Sequence, residues 1–251
     1  MDLELADKVV LITGASGGLG RELAIEFGRQ DARVAVHYHA NAEAAEVVAQ
    51  SVEAVGGEAL TVSADLTDRA AVQTMIGAIV VEWGGVDVLV NGASVFERGI
   101  PIESIALDQW RRVSDTILTG AYHTISLCAP TMRRRKWGRI VNIASRTGLV
   151  GGTNVAHYAS AKAGLIGLTR ALAKELGPDG ILVNAVAPTR ILTPKERERR
   201  SSEELERLAR QIPLGRIATP EDVARVILFL GSGWNTYVTG EVITVGGGVN
   251  E

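Results

Sequence analysis

Three side chains in this sequence have the types and spacing to move a proton onto a carbonyl oxygen. In "YASAK", Tyr158 and Lys162 stand four residues apart, which puts both on one face of a helix. Ser145 closes the run "IVNIAS", so a strand end and a helix start can converge on one cleft. A free tyrosine titrates near ~10 and is a poor acid–base group at neutral pH. A neighbouring ammonium favours the phenolate and tunes Tyr158 towards proton exchange with a carbonyl. Ser145 would hydrogen-bond the same oxygen and fix its orientation. Spacing alone leaves a plain alternative open, because Tyr and Lys at i, i+4 occur on many solvated helices.

A second constellation supplies a partner for that chemistry. "VVLITGASGGLG" sets Gly14, Ser16, Gly18, Leu19 and Gly20 directly after an apolar run and at the opening of a helical pattern. Gly14 permits a tight turn, Gly18 lets the backbone approach a pyrophosphate, and Gly20 lets helix and strand pack closely. The helix N-terminus then offers open N–H groups and a positive dipole to the phosphates. Asp65, followed by Leu66, either accepts from an adenine amino group or caps the next helix. Asn91, Gly92 and Ala93 fall where the backbone must pass beside a ribose. No acid lies between Arg33 and Asn41, and His39 and Asn41 can meet a phosphate, so NADP(H) is favoured over NAD(H). The positive nicotinamide ring would also favour the phenolate of Tyr158. His37 and His39 share one face of a strand as a metal pair would, but no third ligand is near, so no metal site is expected.

These groups need a scaffold that gathers strand ends. Apolar runs at 9–13, 33–37, 59–63, 86–91, 139–144, 182–187 and 242–245 are mostly rich in Val and Ile without polar alternation, as suits strands buried on both faces of a parallel sheet. Between them, 19–30, 42–55, 68–83, 107–132 and 158–176 carry apolar residues at three- and four-residue steps. Repeated strand–helix units predict a doubly wound α/β sheet in a single domain spanning 1–251. Thr67-Asp68 offers caps for the third helix, Gly177-Pro178 stops the helix before it, and Pro220 opens another. The charge run "KERERR" at 195–200 breaks the rhythm and reads as part of an insertion over 193–212.

Composition narrows the function classes. Lys plus Arg at 26 against Asp plus Glu at 29 leaves a net charge of −3, so no global field draws nucleic acid. The single cysteine, Cys128, leaves no intramolecular disulfide and no thiolate cluster. No apolar stretch approaches the ~18 residues of a membrane span, and the acidic start before the first apolar run is unlike a signal peptide. A soluble, cytoplasmic protein is expected.

Taken together, the motifs resemble those of the short-chain dehydrogenase/reductase family, with a layout similar to its 3-oxoacyl-(acyl-carrier-protein) reductase-like members. The resemblance spans essentially the whole chain: "TGxxxGxG" at 13–20, "ADL" at 64–66, Ser145 with "YxxxK" at 158–162, "VNAVAP" at 183–188, "PLGRIATPEDVA" at 213–224 and "YVTGEVITVGGG" at 237–248. It implies a seven-stranded Rossmann fold, a homotetramer, and hydride transfer between a nicotinamide cofactor and a carbonyl or alcohol. It makes Tyr158 the proton donor in reduction, Lys162 a ligand of the nicotinamide ribose that lowers the tyrosine pKa, and Ser145 the residue steadying the substrate oxygen. Pro188, Ile191 and Thr193 fall at positions around the nicotinamide, residues 1–145 form the cofactor half, and 193–212 a mobile segment closing over substrate.

Three departures from the family pattern stand out. "NNAG" reads Asn91-Gly92-Ala93-Ser94, and the usual "PG" is Pro188-Thr189. Ile117 in "DTILTG" stands where an asparagine completes a catalytic tetrad; isoleucine keeps the main-chain carbonyl but loses the amide. The expected result is an active enzyme slowed at proton transfer. The basic run at 133–136 either docks an acyl carrier protein or is a solvated helix end facing the C-terminal dipole, and Arg170 and Lys174 are equally ambiguous. Ser94, Phe96, Arg98, His157 and Arg190 are pocket candidates. The expected function is NADPH-dependent reduction of a 3-oxoacyl thioester or small ketone. The alternatives are a pteridine-type or alcohol-oxidising enzyme, and a cofactor-binding scaffold with little turnover.

Overall fold

Each apolar run is a strand in the computed structural model, which describes residues 3–249. Positions 1–2 and 250–251 of the expected domain lie outside the described residues. The strands are β1 (Val9–Thr13), β2 (Arg33–Tyr38), β3 (Glu58–Ser63), β4 (Val88–Asn91), β5 (Gly138–Ile143), β6 (Ile181–Pro188) and β7 (Val242–Val245). They form one all-parallel sheet in the order β3-β2-β1-β4-β5-β6-β7. The helices are α1 (Gly18–Gly28), α2 (Ala42–Glu53), α3 (Arg69–Trp83), α4 (Leu107–Ser114), α5 (Gly120–Arg135), α6 (Arg146–Val150), α7 (Ala156–Leu176), α8 (Pro194–Glu198), α9 (Ser202–Ala209) and α10 (Pro220–Gly231).

Successive strand residues face opposite layers. Val10, Ile12, Val34 and Val36 pack against Phe27 of α1, Val48 of α2 and Ile227 of α10. Val9, Leu11, Ala35 and Leu89 pack against Ile79 of α3, Met132 of α5 and Leu176 of α7. Helices therefore cover both faces, and the strands need no polar side. Strand order runs outward from β1 in one direction and from β4 in the other, which leaves a crevice at their C-terminal ends. Thr13 and Asn91 are partners in register at that point.

One expected element differs. The helical pattern over 107–132 is two helices, α4 and α5, joined by a single π turn at Asp115–Thr119. There the Gly120 N–H donates to the Asp115 carbonyl, five residues back. An apolar stripe tolerates one extra residue per turn, so periodicity cannot register it. The 193–212 segment also carries structure: Thr193 caps α8, and Ser201 with Glu204 forms a capping box on α9. Among the described residues no helix is long and apolar enough to cross a membrane.

Candidate active site

The crevice is built first by the glycine-rich turn between β1 and α1. Gly14 has φ +72°, and a Cβ there would meet the Ala93 backbone at 2.9 Å, so β1 and β4 can approach only without a side chain. A Cβ on Gly20 would lie 2.3 Å from the Gly14 carbonyl oxygen, which fixes glycine where α1 crosses the turn. The α1 cap, Gly17, has no side-chain acceptor. The first-turn N–H groups of Gly18, Leu19 and Gly20 are therefore left open to an anion, as a pyrophosphate cradle requires. Gly18 lies against Thr193 at the start of the 193–212 segment, because a Cβ on it would meet Thr193 Cγ2 at 2.9 Å.

His37 holds this turn in place. The Gly14 N–H donates to its Nδ1 at 3.0 Å, and its Nε2 lies 3.1 Å from the Ala64 carbonyl. Nδ1 must accept, so Nε2 carries the proton and the ring is neutral. Burial pushes its pKa down to about 4. With both nitrogens used, His37 has none to give a metal, and among the described residues no group of three His, Cys, Asp or Glu could hold one. The sequence gives His37 no metal role, for want of a third ligand, and no other role either; its contact with Gly14, 23 positions away, is tertiary and has no local signature.

Beyond the end of β2, Asn41 caps α2 by accepting from the Ala44 N–H at 3.0 Å, which leaves its amide N–H groups to donate. His39 is exposed, with Nε2 3.9 Å from Asp65 Oδ2. Asp65 Oδ1 accepts from the Thr67 N–H and hydroxyl, and these bonds hold its carboxyl below the ordinary range. The cap of α3 is Asp68 instead. Leu66 is buried in the core. Asn91 is buried: it donates to Asn142 Oδ1 at 2.9 Å and accepts from Thr124 Oγ1 at 2.7 Å. Its side chain therefore braces β4 against β5 and α5, and the Gly92 and Ala93 backbone beyond it is pinned by N–H bonds to Thr13 Oγ1.

The three proton-transfer candidates meet across β5, α6 and α7. Ser145 caps α6, its Oγ accepting from the Thr147 N–H at 3.2 Å, and its hydroxyl also hydrogen-bonds the Tyr158 phenol. Lys162 is 2% exposed; its Nζ donates to the Ile143 carbonyl at 2.5 Å and lies 5.7 Å from the Tyr158 ring centre. Burial pushes its ammonium down to about 7. The Tyr158 phenol is raised by burial, while the hydroxyls of Ser145 and Ser94 pull it back. The expected lowering by Lys162 does not appear: burial raises the phenol, and only the two serine hydroxyls oppose it. Ser94, a departure in sequence, adds a second hydroxyl at the phenol oxygen.

Ile117 is 2% exposed, among Val113, Ala121, Ala161 and Leu165, with Tyr158 against the same cluster. The π turn around it persists without an amide side chain, because Gly120 N–H and Thr119 Oγ1 both donate to Asp115. Phe96 packs edge-on to Tyr158, ring centres 4.7 Å apart. A cavity of about 530 Å3 opens beside Ser145 and Tyr158, bounded by Pro188, Thr189 and Ile191 and by Glu196, Arg200, Leu208 and Ile212 of the 193–212 segment. Pro188 ends β6, and Ile191 bridges to Ala218. His157 is fully buried, and neither ring nitrogen has a hydrogen-bond partner among the described residues. The 133–136 run is largely paired internally: Arg133 with Glu175 and Asp179, Arg135 with Asp87, and Lys136 with Asp179.

Comparison with known proteins follows this geometry. Residues 14–250 match the family described as enoyl-(acyl carrier protein) reductase. The chain is 38% identical over 242 residues to the 3-oxoacyl-(acyl-carrier-protein) reductase FabG of Staphylococcus aureus, covering 96% of this chain and 98% of that protein. It is 36% identical over 244 residues to the reductase of the same name from Staphylococcus epidermidis, covering 97% and 99%. The crystal structure of a short-chain type dehydrogenase/reductase from Mycobacterium marinum superposes with a TM-score of 0.90 at 34% identity, covering 99% of this chain and 98% of that one.

Proposed function

This chain belongs to the short-chain dehydrogenase/reductase family of oxidoreductases, and from that premise we propose that it is an NADPH-dependent carbonyl reductase acting on a 3-oxoacyl thioester or small ketone. The observation that carries the reading is the placement of Ser145 and Tyr158 on one cavity, with Lys162 buried behind them on the Ile143 carbonyl, in a fold whose β1–α1 turn is an uncapped, glycine-built helix N-terminus. Gly14, Ser16, Gly18, Leu19 and Gly20 would hold the pyrophosphate. His39 and the Asn41 amide would meet a 2′-phosphate, and the Gly92-Ala93 backbone, Pro188, Ile191 and Thr193 would flank the nicotinamide. Residues 1–145 serve as the cofactor half and 193–212 as the lid.

A reduced nicotinamide supplies the hydride when bound there. The chain does the rest. Ser145 donates its O–H to the substrate carbonyl and fixes its angle, and Tyr158 gives up its phenolic proton to the same oxygen. The resulting phenolate is stabilised by the Ser94 and Ser145 hydroxyls and by Lys162 when protonated. Closing α8 and α9 over the cavity excludes water and strengthens each of these interactions.

NADPH oxidation with acetoacetyl thioester and a panel of small ketones tests the reading, with Tyr158→Phe as the blank. Turnover above that blank is expected, and NADPH affinity of the variant should stay within a few-fold. Persistent turnover in Tyr158→Phe assigns the proton donor elsewhere. NADH run in parallel tests the cofactor choice: equal kcat/KM for both refutes the 2′-phosphate assignment. The family also suggests a homotetramer built on α5 and α7, supported by exposed Tyr122 on α5; a stable monomer at micromolar concentration in sedimentation refutes it. The internal pairing of the 133–136 run argues against that run as a carrier-protein dock.

A further inference from the structure

The cavity beside Ser145 and Tyr158 has an unusual charge. Four guanidinium groups line it, Arg98, Arg146, Arg190 and Arg200, against one carboxylate, Glu196. They come from separate segments: the loop after β4, the first turn of α6, the loop after β6 and the link from α8 to α9. Arg200 alone has acid partners, with Nε 3.0 Å from Glu196 and Nη1 4.0 Å from Glu204, and its side chain is 14% exposed. Arg98, Arg146 and Arg190 have no hydrogen bond or ion pair within 4.0 Å among the described residues, and Arg146 Nε is buried with no acceptor. Arg190 is held below its ordinary range by burial first, then by Arg200, with Glu196 opposing and Arg98 and Arg207 adding to the depression.

Gathering unpaired like charges in one concavity costs free energy unless an anion joins them. An arginine fork matches the two oxygens of a carboxylate or phosphate. We propose that the substrate carries an anionic group, a carboxylate or phosphate, held by Arg190 and Arg98 with Arg146 and the lid residue Arg200 around it, while its carbonyl meets Ser145 and Tyr158. The inference rests on the reductase reading and narrows it, from thioesters and ketones at large to small anionic ketones. A short acyl thioester places no charge near its ketone and leaves these forks unmatched. The cofactor's own pyrophosphate is the competing anion, because Thr193, three residues after Arg190, lies against Gly18.

The test uses the full chain at saturating NADPH. The probes are 2-oxobutyrate, acetoacetate, levulinate and dihydroxyacetone phosphate, set against the methyl esters of the three acids and against dihydroxyacetone. At least one anionic ketone should exceed its neutral counterpart about 10- to 100-fold in kcat/KM, the range of a charge-assisted hydrogen bond or two; comparing the acids with the phosphate decides which group fits. Arg190→Gln and Arg98→Gln should erase most of that preference through KM rather than kcat, and Arg190→Lys should restore part of it. NADPH Kd in these variants should stay within about two-fold of wild type. Neutral counterparts used as well as the anions by wild type overturn the proposal, and an NADPH Kd weakened as much as KM assigns the arginines to the cofactor instead. Absence of Tyr158-dependent oxidation with every ketone, thioesters included, overturns the reductase reading. In that case calorimetric titration of the NADP+-saturated protein with 3-hydroxybutyrate and its methyl ester decides the anion site: binding of the acid alone sustains it, and equal or absent binding refutes it.

Discussion

Ile117→Asn separates packing from proton supply at one position. The side chain is 2% exposed and touches Val113, Ala121, Ala161 and Leu165. Removing most of its apolar burial costs about 1.5–3 kcal/mol, and burying an amide among apolar neighbours adds about 1–3 kcal/mol. The sum is roughly 2.5–6 kcal/mol, and at about 2–4 °C per kcal/mol for a chain of this size Tm should fall by about 5–24 °C. The π turn should survive, because its bonds to Asp115 come from Gly120 and Thr119. If the missing amide limits proton delivery to Lys162, turnover at saturating NADPH should rise about three- to tenfold, a modest share of what acid–base catalysis supplies. The solvent isotope effect should shrink with it. Circular dichroism melts and steady-state kinetics on the same preparation decide both halves. Equal or lower turnover in a folded variant refutes proton supply as the limit, and an unchanged Tm refutes the packing account.

Three further outcomes follow from the same coordinates. The pKa of Lys162 falls from its ordinary 10.5 to about 7 on folding, so the unfolded chain binds the proton more tightly and this group's contribution to stability rises with pH between about 7 and 10.5. Between pH 7 and 9 wild type should gain about 2–3 kcal/mol more than Lys162→Met in urea unfolding; matched slopes would show that the buried lysine keeps its proton. His37, ordinarily near 6.5 and about 4 here, should cost stability as pH falls from 6.5 to 4, by about 3 kcal/mol in all. His37→Leu should flatten that acid limb and weaken NADPH binding about tenfold by orphaning the Gly14 N–H; unchanged NADPH affinity would remove it from the turn's support. Gly20→Ala should abolish NADPH binding or folding, since its Cβ meets backbone at 2.3 Å, whereas Gly77→Ala, with nothing within 4 Å on exposed α3, should stabilise by about 0.5–1 kcal/mol. Similar melting curves for the two variants would contradict the steric account.

What could be read before folding was whatever repeats locally. Val and Ile runs declare strands buried on both faces, and the glycines of the first turn, Ser145 and Tyr158 with Lys162 sit within short windows whose spacing carries their geometry. Other features depend on contacts between distant residues. The π turn adds one residue to a helix without breaking its stripe. His37, set aside in the sequence as a metal ligand for want of a third partner, shows its role only through its contact with Gly14. Arg98, Arg146, Arg190 and Arg200 span more than a hundred positions and become a cluster only when β4, α6, the loop after β6 and the lid close on one cavity. The 133–136 run shows the reverse: dense in sequence, it is mostly neutralised by Asp87, Glu175 and Asp179 in space.

The departures from the family pattern are not scattered. The turn that cradles phosphates keeps every glycine that its φ angles and close contacts demand, and the Ser145, Tyr158 and Lys162 set is complete. Ser94 acts on the Tyr158 phenol, Ile117 packs in the cluster that Tyr158 joins, and Thr189 lines the cavity. All three lie around Tyr158 and the cavity beside it. A fold fixes how hydride and proton donors are presented, while the lining of one cavity decides what they are presented to. That division makes the arginine wall more informative about the natural substrate than overall identity to the 3-oxoacyl-(acyl-carrier-protein) reductases.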